Sequence, residues 1–128
     1  MDLLPADNVT NLLQSFLDVQ SRRAQVIAGN IANADTPNYI AKELDFEDYL
    51  REAARQSSLP LSQQKLQSAS EQTRIIEQKS TSIGLDGNTV DTGREMADLA
   101  QTGSNFNFGA KMLQTRLRLL RTAIREGK

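Results

Sequence analysis

The chain has 128 residues, 38% of them apolar and 5% aromatic, which suits one modest domain but not a large self-contained core. A net charge of -1 and the lack of histidine exclude a strongly basic nucleic-acid binder and any histidine-based acid/base or metal chemistry. Cysteine is absent as well, which excludes disulfides, thiolate zinc sites and a cysteine nucleophile.

Met1 to Asp7 carry two aspartates and no lysine or arginine, unlike the positive start and apolar stretch of a secretory signal. No apolar run is longer than three residues, against the roughly 20 that a membrane-spanning helix needs. The expectation is a chain that does not span a bilayer and that reaches any site outside the cytoplasm without a cleaved signal peptide.

Apolar residues then recur at helical spacing through Val9, Leu12, Leu13, Phe16, Leu17, Ala24, Ile27, Ala28 and Ile31. This predicts an amphipathic helix over about 8–33. Gln20 and Arg23 interrupt the stripe, a pattern that suits a face meeting partners more than a dry core. Pro37 blocks any continuation, because the residue before a proline is pushed out of the helical region.

A turn at about 34–40 follows, then a short helix at about 45–56 with Asp45 as its N-cap and Leu44 and Tyr49 in the positions of a hydrophobic staple. Asp45, Glu47 and Asp48 put three carboxylates within four residues. They lack the glycine and distant glutamate of a calcium loop, so they read as first-turn acids favoured by the helix dipole. From Gln56 to Ser82 the chain is rich in serine and glutamine, with Leu59-Pro60-Leu61 inside it. This reads as a polar linker over about 57–91 holding at most one short strand around Ile75-Ile76. Gly84 and Asp86-Gly87-Asn88 mark turns that close it.

The last segment, about 93–126, places Met96, Leu99, Gly103, Phe106, Ala110, Leu113, Leu117, Leu120 and Ile124 at alternating steps of three and four. That is a heptad seam. Thr92 and Glu95 have the spacing of a capping box, and Gly127 is placed to end the helix. The run from Gly103 to Gly109 holds poor helix formers, so this helix is expected to be weak in the free chain and ordered by assembly. Charge is divided: residues 1–50 hold three basic and eight acidic groups, whereas residues 91–128 hold seven basic and four acidic. The two ends attract each other, or the ends of other copies. The basic groups Lys111, Arg116, Arg118, Arg121, Arg125 and Lys128 have no tyrosine or tryptophan among them to stack on bases, and they read as dipole-complementing, solvated or paired charges, not a nucleic-acid site.

These segments define one all-α domain over 1–128. Long N- and C-terminal helices pack antiparallel as a coiled-coil-like pair, with a short third helix and the polar linker between them. The expected assembly seam is Phe16, Ile27 and Ile31 on the first helix, with Met96, Leu99, Phe106, Leu113, Leu117, Leu120 and Ile124 on the last. No catalytic, cofactor or metal site is expected.

Two stretches carry a resemblance. Gly29-Asn30-Ile31-Ala32-Asn33-Ala34-Asp35-Thr36-Pro37-Asn38-Tyr39 resembles the N-terminal signature of the flagellar axial proteins, the rod and hook family, and Asp86-Gly87-Asn88-Thr89-Val90-Asp91 ahead of Glu95-Met96 resembles that family's proximal-rod members. The family usually has glycine where Asn38 stands. If Pro37 and Asn38 are the central residues of a type II turn, the second needs a positive φ, which asparagine tolerates best after glycine. Asn30 and Asn33 are placed to bond groups left open by the ending helix, Asp35 and Thr36 to form side-chain turns, and Tyr39 to act as an apolar anchor. The resemblance implies a structural subunit at the base of the flagellar rod, transmitting torque. It also implies partners among its own copies, other rod proteins, the rod-base adaptor and the export gate, and passage through the flagellar type III channel. The alternatives are a soluble helical adaptor or export chaperone, or another rod paralogue.

Overall fold

The computed structural model describes residues 4–57, 59–60, 73–80 and 82–127. The two long periodic stretches each form one helix, α1 (Leu4–Ala32) and, at the other end, α3 (Thr92–Glu126). Between them lie β1 (Lys42–Leu44), α2 (Phe46–Ser57) and β2 (Ile75–Glu77). At about 1.5 Å per residue, α1 is about 44 Å long and α3 about 52 Å. Helix α1 starts ahead of its apolar stripe because Pro5 sits in its first turn, where a missing N–H costs nothing.

The fold is mainly helical, with α1 and α3 packed side by side and antiparallel. Asn30 bonds Glu95, while fourteen residues earlier in α1 and fourteen later in α3, Phe16 lies against Gly109. The apolar core is small: Val19, Ile27, Ala41, Leu44 and Tyr49 are its buried members among the described residues. Tyr49 brings α2 onto Val19, and Phe46 packs beside it with ring centroids 6.2 Å apart. Burial pushes the Tyr49 phenol above its ordinary pKa, with the nearby Ser15 side chain acting to lower it and the Asp18 charge to raise it.

Asp45 caps α2 by accepting from the Asp48 amide at 3.2 Å. Glu47 and Asp48 both pair with Arg51 on the next turn, so these carboxylates are occupied by local helix chemistry. β1 and β2 pair antiparallel, with Lys42 opposite Glu77 and Leu44 opposite Ile75. The stretch around Ile75-Ile76 is therefore a strand, but its partner carried no period-two signal, because three residues are too few to display one. Residues 73–80 and 82–91 of the expected linker hold this strand and the ordered turn described below. The middle of that linker, 61–72, lies outside the described residues.

Helix α3 differs from expectation at its start and along its length. Its N-cap is Asp91, whose extended backbone lets the carboxylate accept from the Arg94 amide at 3.1 Å. Asp91 displaces the Thr92–Glu95 capping box by one residue, and Glu95 turns inward, 1% exposed. The fully buried positions of α3 are Glu95, Thr102 and Gly109, two steps of seven. They lie one residue before the expected seam positions Met96, Gly103 and Ala110. Met96 (55% exposed), Phe106 (40%), Leu117 (47%) and Ile124 (68%) consequently face outward, and Leu99, Leu113 and Leu120 lie at the boundary. Close approach decides the rotation. A Cβ on Gly109 would stand 2.9 Å from Phe16 Cδ1 and 3.0 Å from Leu17 Cδ2, so only a glycine lets α1 come this near. The stretch from Gly103 to Gly109 is continuous α-helix.

Two residues of α1 also depart from expectation. Ile27 is 5% exposed and part of the core, not of an open face, and Gln20, expected to meet partners, is 2% exposed within the chain. Phe16 and Ile31 are part-buried.

Candidate functional site: the junction of the two motifs

The two motifs, separated by nearly fifty residues of chain, meet at the end of α1. A helix leaves its last carbonyls without intrahelical partners, and here both motifs supply them. Asn33 reaches back to donate from Nδ2 to the Gly29 carbonyl at 2.8 Å. Asn88, from the second motif, donates from Nδ2 to the carbonyls of Asn33 (2.9 Å), Ala34 (2.9 Å) and Thr36 (2.8 Å). Its Oδ1 accepts from the Val90 amide at 2.8 Å. One asparagine thus closes the end of α1 and shapes the approach to α3.

The chain then turns at Thr36–Tyr39. The Tyr39 amide donates to the Thr36 carbonyl at 3.3 Å, and Asn38 has φ 60°. These are the hydrogen bond and positive φ of a type II turn with Pro37 and Asn38 at its centre, as the sequence predicts. The Thr36 hydroxyl adds a bond to Asn33 Oδ1 at 3.1 Å, while Asp35 is exposed. The second motif locks onto this turn. The Asn38 amide donates to the Asp86 carbonyl at 2.9 Å, and the Thr89 amide to the Tyr39 carbonyl at 3.0 Å. The Ala41 amide donates to Thr89 Oγ1 at 2.8 Å. Gly87 has φ +79°, and a Cβ there would overlap Asn38 Oδ1. Glycine at 87 is required by its own backbone and by the side chain at 38 together.

Asn30 is the hub, and its role differs from the helix-end cap the sequence suggests. It is fully buried. Its Nδ2 donates to the Lys42 carbonyl at 2.8 Å and to Glu95 Oε2 at 3.0 Å. Its Oδ1 accepts from the Lys42 amide at 2.9 Å and from the Tyr39 hydroxyl at 3.2 Å. An amide side chain offers two donors and two lone pairs, and all four are used. Three elements, α1, β1 and α3, are pinned through one side chain. Tyr39 serves the hub through its hydroxyl as well as its ring. Ile31 and Ala32 sit beside it on α1, part-buried and exposed.

Each polar group named above holds another part of the chain, so the arrangement fixes the angle and register between the helices. Sequence reasoning missed Glu95 as the partner of Asn30 and Asn88 as the cap of α1. The one local signal for the first was the seven-residue recurrence of Glu95, Thr102 and Gly109.

Comparison with known proteins points the same way. A family model described as flagella basal body rod protein matches residues 14–39, which include the whole of the first motif. Over 119 residues the chain is 30% identical to the flagellar basal body rod protein FlgB of Bacillus subtilis (strain 168), covering 91% of this chain and 92% of that one. It is 29% identical to FlgB of Escherichia coli (strain K12) over 136 residues, covering 94% and 96%. To FlgB of Aeromonas hydrophila it is 30% identical over 131 residues, covering 93% and 94%.

Proposed function

The chain belongs to the family of flagellar basal body rod proteins typified by FlgB, and from that premise we propose that it is a structural subunit of the proximal rod, assembling through its terminal helices and carrying torque. The family is structural, not enzymatic. The subunit works in the basal body among its own copies and other rod proteins, and contacts the rod-base adaptor and the export gate. It reaches the periplasmic rod through the flagellar export channel. Among the described residues no helix is long and apolar enough to cross a membrane.

The observation that carries this reading is the outward ridge of α3. Met96, Phe106, Leu117 and Ile124 are 40–68% exposed along a single helix. Apolar rows of this kind mark contact surfaces in proteins that assemble. An uncovered ridge meeting a different patch on the next copy forms a head-to-tail contact that does not close, and such contacts build helical tubes. The two motifs, by fixing how α1 and α3 cross, hold the ridge at a constant angle, which is what a load-bearing subunit needs.

The test is Leu117→Asp combined with Ile124→Asp. Both side chains are exposed in the single chain, so the purified variant keeps its helical content. In the rod each substitution places a charge against apolar surface, and the cells stop swimming with the variant missing from isolated basal bodies. Cells that swim with both changes refute the proposal.

A further inference from the structure

One dipeptide of the junction carries a chemistry that holding two helices together does not use. Asp86 is the only aspartate in the chain followed by glycine, and no asparagine is followed by one. An aspartyl side chain before glycine is the arrangement most open to attack by the next backbone nitrogen, because glycine has no side chain to shield that nitrogen or restrict its approach. The Gly87 nitrogen bonds to Asp86 Cγ and loses its proton, the carboxyl group expels one oxygen as water, and a five-membered succinimide closes. Water then reopens the ring. Where it adds at the main-chain carbonyl the product is isoaspartate, in which the chain runs through Cβ and Cγ and the former main-chain carbonyl carbon becomes a free carboxylate. One water leaves and one returns, so no oxidant or co-reactant is needed.

The fold both requires this dipeptide and restrains it. Gly87 has φ +79°, and a Cβ there would overlap Asn38 Oδ1, so the turn that meets the first motif cannot exchange its glycine. In the folded chain the attacking nitrogen is engaged, since the Gly87 amide donates to the Gly84 carbonyl at 2.9 Å. The carboxylate is engaged as well. Asp86 Oδ1 accepts from the Asn88 amide at 3.1 Å and lies toward Gly84, where an added Cβ would stand 2.8 Å from it. The Gly84 amide donates to the Asn88 carbonyl at 2.8 Å and the Asn38 amide to the Asp86 carbonyl at 2.9 Å, closing the turn on both sides. Ring closure needs the Asp86 side chain to swing onto the Gly87 nitrogen and that nitrogen to give up its proton. Both movements break bonds of the closed turn, so the reaction proceeds from the open chain.

We infer that Asp86-Gly87 is a modification site, converted to isoaspartate while the chain is open and protected once the junction closes. The converted chain cannot close it. Isoaspartate adds one atom to the backbone between Leu85 and Gly87 and takes the carbonyl that receives the Asn38 amide out of the main chain. It also displaces Asn88 from the carbonyls of Asn33, Ala34 and Thr36. A copy that stays unfolded before assembly thus loses the ability to fold and becomes a substrate for enzymes that methylate isoaspartyl carboxylates. None of this depends on the rod-subunit assignment.

In the experiment, the purified chain is held at neutral pH in native buffer and, in parallel, in concentrated urea. Isoaspartate is measured by transfer of a labelled methyl group from S-adenosylmethionine with an isoaspartyl methyltransferase, and located by fragmentation mass spectrometry. In urea the label accumulates at Asp86. In native buffer it accumulates more slowly by about tenfold or more, because local opening must first release the Gly87 amide. Asn88→Ala, which loosens the junction, raises the native rate toward the urea rate. After removal of urea, the unmodified fraction regains the parent's melting curve by circular dichroism, and the isoaspartyl fraction melts lower. Equal rates in the two buffers, label at other aspartates with none at Asp86, label that persists in Asp86→Ser, or an isoaspartyl fraction that melts with the parent each overturns the proposal.

Discussion

The Asn30 hub permits a prediction with a magnitude and a sign. Asn30→Asp keeps the shape of the side chain but replaces an amide that donates to the Lys42 carbonyl and to Glu95 Oε2 with a carboxylate that donates to neither. The new carboxylate stands beside that of Glu95 in a site where Asn30 is fully buried and Glu95 is 1% exposed. With charge centres about 4 Å apart and an effective dielectric of about 20, the repulsion is about 4 kcal/mol. Loss of two donors adds about 1–3 kcal/mol for each acceptor left bare, while protonation of one carboxyl relieves part of the repulsion.

A loss of that size is a large part of the 5–15 kcal/mol that holds a typical domain, so the purified variant unfolds or melts far below the parent at neutral pH. The pH dependence identifies the cause. The neighbouring carboxylate raises the new group's pKa in the folded state above its unfolded value. Between the two values the folded state binds more protons, so stability increases as pH falls. Melting followed by circular dichroism from pH 8 to pH 5 should therefore rise for Asn30→Asp. Asn30→Leu, equally unable to bond but uncharged, gains nothing from acid through this group. Adding Glu95→Gln to Asn30→Asp restores a donor opposite the new carboxylate and recovers part of the loss. A variant with the parent's melting temperature and no rise toward low pH would refute the assignment of Asn30 as hub.

Two further predictions test the junction and the helix interface separately. Asn88→Ala removes the donor to the carbonyls of Asn33, Ala34 and Thr36 and costs about 1–3 kcal/mol; hydrogen exchange should quicken at the α1–β1 turn before the middle of α3, and unchanged exchange there would count against the cap. Gly109→Ala sets a Cβ 2.9 Å from Phe16 Cδ1 and destabilises by about 1–3 kcal/mol through overpacking, despite alanine's better helix propensity; a higher melting temperature in thermal unfolding would show that α1 and α3 are not in close contact there.

Much of the local structure was legible in the residues. Pro37 and Asn38 identify their turn because proline presets one φ and asparagine accepts a positive one, both properties of single residues. Asp45 announces the start of α2 for the same reason. The length of α3 follows from sustained periodicity, which survives its glycines because packing outweighs propensity. The two motifs were legible as a resemblance, but their pairing in space was not. Nothing in the residues near Asn88 indicates that its amide belongs to carbonyls more than fifty positions earlier.

Local residue chemistry therefore sets the helices, their punctuation and the presence of more apolar helix surface than the chain can cover. Which side of α3 faces inward was decided by the tertiary structure. Periodicity locates the greasiest stripe, and Met96, Phe106 and Leu117 form it. Two helices nevertheless approach most closely where side chains are smallest, and Gly109 against Phe16, with Glu95 answering Asn30, turns a leaner stripe toward α1. That choice depends on a distance between residues far apart in the chain, and it leaves the apolar ridge facing out.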